Sequence, residues 1–197
     1  MSGISLEKGG RVNLTKTSPG LTKIRVGLGW NTNKYDTGAD YDLDVSAFLC
    51  STNSGSPKML SDAHLVYYGN KTSPDKAIQH TGDNRTGEGD GDDETILVDL
   101  SKIEAGVDEI SFTITIYEAD VRKQNFGQVS NSYAKLYDDV TGAVIATYSL
   151  EDDFSVETAV QVGSLYKKDG EWLFKAVGAG FKKGLGDFIL VYGGNLA

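Results

Sequence analysis

A single cysteine, Cys50, is all this 197-residue chain carries, so no disulfide can form within it, which fits a reducing compartment. Histidine is nearly as scarce. His64 and His80 are the whole complement, and a zinc site wants clustered His and Cys that the sequence does not supply; each histidine is expected as a strand residue facing water or a backbone partner. No apolar run approaches the roughly 20 residues of a membrane-spanning helix. The longest near the C-terminus is Phe188 to Tyr192, and the opening MSGISLEKGG lacks the apolar stretch of a signal peptide. The expectation is a cytoplasmic protein without a transmembrane segment; peripheral contact with a membrane is left open. Clusters of Lys or Arg interleaved with aromatics are absent, and a net charge of −9 repels phosphate backbones, so nucleic acid is not an expected partner. No nucleophile elbow of the G-x-S-x-G type occurs. The glycine run GAGFKKG at Gly178 to Gly184 leaves too little chain for the helix, second strand and distant acid of a dinucleotide fold.

Glycine is plentiful where proline is not, with twenty-four against three, and ten tyrosines accompany many Val, Ile and Thr. That balance favours strands joined by glycine turns. The strongest β signals are Thr95 to Leu100 and Glu109 to Glu118 (EISFTITIYE), which are expected to form the core. Ile4 to Lys16 reads as an edge hairpin turning at Gly9 and Gly10. Leu21 to Trp30 reads as a strand, His64 to Gly69 as the return of a hairpin, and four more strands follow between Ser132 and Val177. Ala119 to Asn125 suits one short helix or a long turn. The prediction is one all-β domain over residues 1–197: a two-sheet β-sandwich of about ten strands with at most one or two short helices.

The acidic charge is concentrated in two windows. Asp36 to Asp44 holds four acids and no base, and Gly82 to Glu94 (GDNRTGEGDGDDE) holds six acids against Arg85, which together account for the net charge of −9. In the second window Glu88, Asp90, Asp92 and Glu94 alternate, about 6.6 Å apart if extended, a repulsive row without a counter-charge. Oxygens sharing one Ca²⁺ at roughly 2.4 Å lie within about 5 Å of each other, so the chain has to curl, and Gly82, Gly87, Gly89 and Gly91 allow it to. A solvated acidic loop is the bland alternative; glycines at every second position between acids favour a divalent-cation loop leading into a strand. It is not an EF-hand, because counting from Glu88 the sixth position is Asp93 and the twelfth is Asp99. In the first window Tyr41, Leu43, Val45, Ala47 and Leu49 share one strand face, and Asp40, Asp42, Asp44, Ser46 and Phe48 the other. Three aspartates at that spacing span about 13 Å, so either Asp40 precedes the strand or two ions are held.

The residues SLEKGGRVNLTK, GLGW, DYDLDVSAFL, GDNRTGEGDGDDE and RKQNFGQVSN together resemble the TerD family of tellurium-resistance and general stress proteins, over nearly the whole chain. The resemblance implies a β-sandwich that binds Ca²⁺ through clustered carboxylates, is associated with tolerance of tellurite and other stresses, and has no established catalytic activity. It carries the metal-ligand role to Asp40, Asp42 and Asp44, and to Asp83, Asn84, Glu88, Asp90, Asp92, Asp93 and Glu94. The family usually has an aspartate after GLGW where this chain has Asn31, and an alanine-rich C-terminal helix where this chain reads GLGDFILVYGGNLA. The expected function is a calcium-binding stress module, with two ions drawing the two windows together to make a surface for other stress or tellurite-resistance proteins. The rival is a hydrolase or redox enzyme acting on tellurite or another stress metabolite, against which a lone cysteine counts, since it forms no intrachain dithiol.

Overall fold

Alternation of apolar and hydroxyl-bearing side chains in EISFTITI leaves Ile110, Phe112, Ile114 and Ile116 on one face, and all four are buried. A computed structural model describes residues 3–32, 38–88, 91–150 and 154–196. Within them the chain forms β1 (Ile4–Ser5), β2 (Arg11–Asn13), β3 (Lys23–Gly29), β4 (Leu43–Ser51), β5 (Lys58–Met59), β6 (Leu65–Val66), β7 (Ile78–His80), β8 (Glu94–Asp99), β9 (Glu109–Ile116), β10 (Tyr133–Asp138), β11 (Val144–Ser149), β12 (Ala159–Lys168) and β13 (Glu171–Phe181). Three short helices join them: α1 (Leu14–Thr17), α2 (Ala119–Arg122) and α3 (Leu185–Val191). One sheet runs β1-β11-β10-β3-β8-β7 and the other β2-β13-β12-β9-β4-β5, with β6 also on β4. The inner faces meet as one core, with Val26 and Leu28 of β3, Val45 and Leu49 of β4, Ile96 of β8 and Phe112 of β9 among its members. The two-sheet all-β architecture is the one expected, with three short helices where at most two were expected.

Two expectations about local structure change. The N-terminal segment does turn at Gly9, with φ of 81°, yet it makes no hairpin: β1 runs parallel to β11 in one sheet and β2 pairs with β13 in the other. Leu6, Val12 and Leu14 are all buried in the shared core, so the segment crosses from one sheet edge to the other. The two-residue strands β5 and β6 and the three-residue β7 raise the strand number above ten, being too short to show alternation in sequence.

The second change concerns the outer face of β4. Every residue from Leu43 to Cys50 is buried, because the outward side chains Phe48 and Cys50 are covered by α3. Phe188 and Tyr192 pack there with Leu65 and Ala159, the Phe48 and Tyr192 rings stack 4.4 Å apart, and the Tyr192 hydroxyl lies 2.6 Å from Ser111 Oγ. The C-terminal segment is therefore helical despite its β-branched residues, since a helix sets Phe188 and Tyr192 four apart on one face. Burial pushes the Cys50 thiol up to about 12, which leaves it unreactive. No helix among the described residues is long and apolar enough to cross a membrane. Phe188→Ala is expected to cost about 3 kcal/mol in urea unfolding, while an exposed neighbour such as Leu190→Ala costs less than about 0.5 kcal/mol; equal effects would contradict the docking of α3.

Candidate metal centre

Three carboxylates converge where β4 begins. Asp42 immediately precedes the strand and Asp44 is its second residue, both buried; Asp83 is exposed in the loop that joins β7 to β8. One oxygen of each lies within 4.8 Å of the others, inside the limit of about 5 Å for oxygens that share a calcium ion. Glu94, the first residue of β8, stands beside them. Its Oε2 accepts the Val45 N–H at 2.7 Å, a bond from one sheet to the other, whereas Oε1 has no hydrogen-bond partner although the side chain is wholly buried. A buried carboxylate oxygen without a donor is costly, and a cation removes that cost.

The loop is held in place by its own side chains. Asn84 Oδ1 accepts the Thr86 and Gly87 N–H groups at 3.2 and 3.1 Å, while its Nδ2 donates to Glu88 O and to Asp93 Oδ1. Gly87 adopts a φ of 71° against the Trp30 indole, where a Cβ would stand 2.6 Å from Nε1; this position needs glycine. Trp30 joins the two acidic windows: its backbone N–H donates to Asp93 Oδ2 at 2.9 Å and its Nε1 to Tyr41 O at 3.0 Å. Asp92 turns the other way. It accepts the Tyr133 and Tyr137 hydroxyls at 3.1 and 2.9 Å and faces Arg25 at 3.4 Å, across Gly27, whose missing Cβ leaves the space that the Asp92 carboxylate fills.

The structure thus gathers Asp42, Asp44 and Asp83 with Glu94 beside them. Asp40 is exposed before the strand, and its carbonyl faces the Gln124 amide at 3.2 Å. Asn84, Asp92 and Asp93 shape and anchor the loop, Glu88 is exposed, and Asp90 lies outside the described residues. Sequence reasoning passed over Arg85 and Arg122, each 3.6 Å from Asp42, and Gln124, which donates to Ala39 O at 2.7 Å. The signal available for these last two was the RKQN motif. His80 is a strand residue with a backbone partner, as expected: it ends β7 and its Nδ1 accepts the Gly82 N–H at 3.3 Å; its ring is fully enclosed, and Nε2 stands 3.6 Å from Glu94 Oε2, too long for a hydrogen bond. His64 departs from expectation: it is buried at the end of a 3-10 turn, not on a strand, and bonds two side chains, Ser61 Oγ and Glu104 Oε1, at 2.8 and 2.6 Å.

Formally, four carboxylates face two arginines, a deficit that one divalent cation would match. Burial raises the Asp44 pKa from 3.8 to about 8, with Glu94, Asp42 and Asp83 adding to it and Arg122 opposing. Burial also raises Asp42, against Arg122 and Arg85, and Glu94, against His80 and the Val45 N–H. Between about pH 4 and pH 8 the folded state therefore holds a proton on Asp44 that the unfolded chain has lost, so stability falls as pH rises. In chelator, unfolding free energy is expected to decline from pH 6 to pH 8 by at most about 1.4 kcal/mol per pH unit from this group, and Asp44→Asn removes that decline. An identical slope in the variant would contradict the assignment.

Similarity to known proteins identifies the family. The TerD domain model matches residues 1–192. The chain is 47% identical over 190 residues to general stress protein 16U of Bacillus subtilis, covering 96% of this chain and 97% of that protein. It is 46% identical over 192 residues to tellurium resistance protein TerD of Serratia marcescens, covering 98% of each. Among solved structures, a homologue of telluride resistance protein from Streptomyces coelicolor superposes with a TM-score of 0.72 at 23% identity, over 86% of this chain and 95% of that one. A protein of unknown function, SAV2460, superposes at 0.73, also at 23% identity, over 90% and 99%. These two likenesses bear on the fold alone, whereas the domain match and the sequence relatives establish that the chain belongs to the TerD family of tellurium-resistance and general stress proteins.

Proposed function

We propose that this protein is a non-catalytic, cytoplasmic calcium-binding module of the stress and tellurium-resistance response, acting through other proteins of that response. The carrying observation is the convergence of Asp42, Asp44 and Asp83 beside the unpartnered Glu94 oxygen. Three carboxylates form a hard donor set, suited to Ca²⁺ more than to zinc or copper. Flexible six-to-eight coordination favours Ca²⁺ over Mg²⁺, which demands a tighter octahedron. On this reading Asp42, Asp44 and Asp83 hold the ion with Glu94 behind them, and the ion draws the 82–94 loop onto the start of β4. A second ion is proposed at Glu88 and Asp93, which line one open cleft with Asn31.

Among the described residues, the enzymatic alternative rests on the chain of hydrogen bonds from Ser61 through His64 to Glu104. Ser61 and His64 stand three apart at a 3-10 turn, a spacing that a local turn alone explains. Labelling of Ser61 by a fluorophosphonate would favour the hydrolase reading.

Calcium is expected to raise thermal stability, by about 2.7 kcal/mol at one hundred times its dissociation constant, with a weaker response to Mg²⁺. Calorimetric titration is expected to give two ions per chain. Asp44→Asn and Asp83→Ala each weaken one of them, with non-additive effects in the double variant because the two residues share an ion. Unchanged calcium binding in both single variants would overturn the site.

A further inference from the structure

The outer face of the second sheet is only half covered. One cross-strand row runs Arg11, Lys175, Ser164, Ser111, Phe48 through β2, β13, β12, β9 and β4. Its Phe48 end lies under α3. At the other end Arg11 and Lys175 are direct cross-strand partners, and like charges in that position repel. Inward, their neighbours Val12 and Phe174 are buried, so the register that fills the core fixes the two cations side by side.

Nothing in the described structure neutralises them as the other arginines are neutralised. Arg25 pairs with Asp92 and Asp139, Arg85 with Asp42, and Arg122 with Asp42 and Glu118. Arg11 and Lys175 form no ion pair among the described residues. Both line a furrow of about 380 Å³ with Tyr166, Gln161, Ser164 and Glu109, a volume within the range of small-molecule sites. Gln161 Nε2 spends one hydrogen on Ser111 Oγ and keeps a second. Glu109 is the one acid lining it, so two cations face a single carboxylate; burial raises its pKa, against the pull of Ser164 and Lys175.

We infer that this furrow is a phosphate-binding site, with Arg11 and Lys175 taking the oxygens of a phosphoryl group and Tyr166 and Gln161 adding hydrogen bonds. A planar guanidinium fork beside a compact ammonium suits a tetrahedral anion with several oxygens. The site lies on β2, β9, β12 and β13 and shares no residue with the carboxylate cluster. The phosphoryl group can belong to a soluble ester or to a lipid headgroup.

The test is a titration of inorganic phosphate into the ¹⁵N-labelled full chain at constant ionic strength, with chloride as control. Saturable shifts are expected at the Arg11, Ser164 and Lys175 amides. Arg11→Gln and Lys175→Gln each weaken binding at least tenfold, and Glu109→Gln tightens it severalfold. In phosphate-free buffer Arg11→Gln melts no lower than the parent chain, because it relieves repulsion; saturating phosphate reverses that order. Co-sedimentation with phosphatidic acid vesicles, lost in the Arg11→Gln/Lys175→Gln double variant, assigns the phosphate to a headgroup, and soluble binding without sedimentation assigns it to a free ester. Equal shifts with chloride, or phosphate affinity unchanged in both single variants, overturn the site.

Discussion

Carboxylates removed from water dominate one end of this molecule. Asp42, Asp44 and Glu94 are buried where the two sheets come together, and Asp83 reaches them from a loop. Desolvation of like charges opposes folding, and two arginines offset only half of the formal charge. The surrounding architecture makes sense as a response to that. Glu94 is bonded to the backbone of β4, Trp30 ties the two acidic windows to each other, and Asn84 fixes the path of the loop. The carboxylates are thereby held near one another, although each would gain solvation by moving apart.

β4 is the strand on which the other features converge. Its inward residues build the shared core, its outward Phe48 and Cys50 receive α3, and its second residue is Asp44. A cation at the start of β4 would therefore be coupled to the rigid centre of the fold. The other end of the same sheet face carries Arg11 and Lys175, so an acidic chain presents a cationic furrow well separated in the strand order from its acidic cluster.

Much of this was legible in the sequence because it depends on local pattern. Alternation in EISFTITI and in LDVSAFLC gives both strands and their faces, and charge counting locates the two acidic windows. What the pattern does not carry is which acids meet. Asp92 and Asp44 look equivalent in composition, yet Asp92 faces Tyr133, Tyr137 and Arg25 because the glycine at position 27 leaves room for it there. Arg122 and His80 reach the cluster only through the order of strands, a long-range property. The helix at the C-terminus was equally hidden, since its evidence is the apolar outer surface of β4 that needs a cover.

The most direct examination of the account is anomalous diffraction from crystals soaked in calcium. An anomalous peak is expected bonded to carboxylate oxygens of Asp42, Asp44 and Asp83, with Glu94 against it. Calcium bound at saturation elsewhere, with those three carboxylates still apart from any ion, would contradict it.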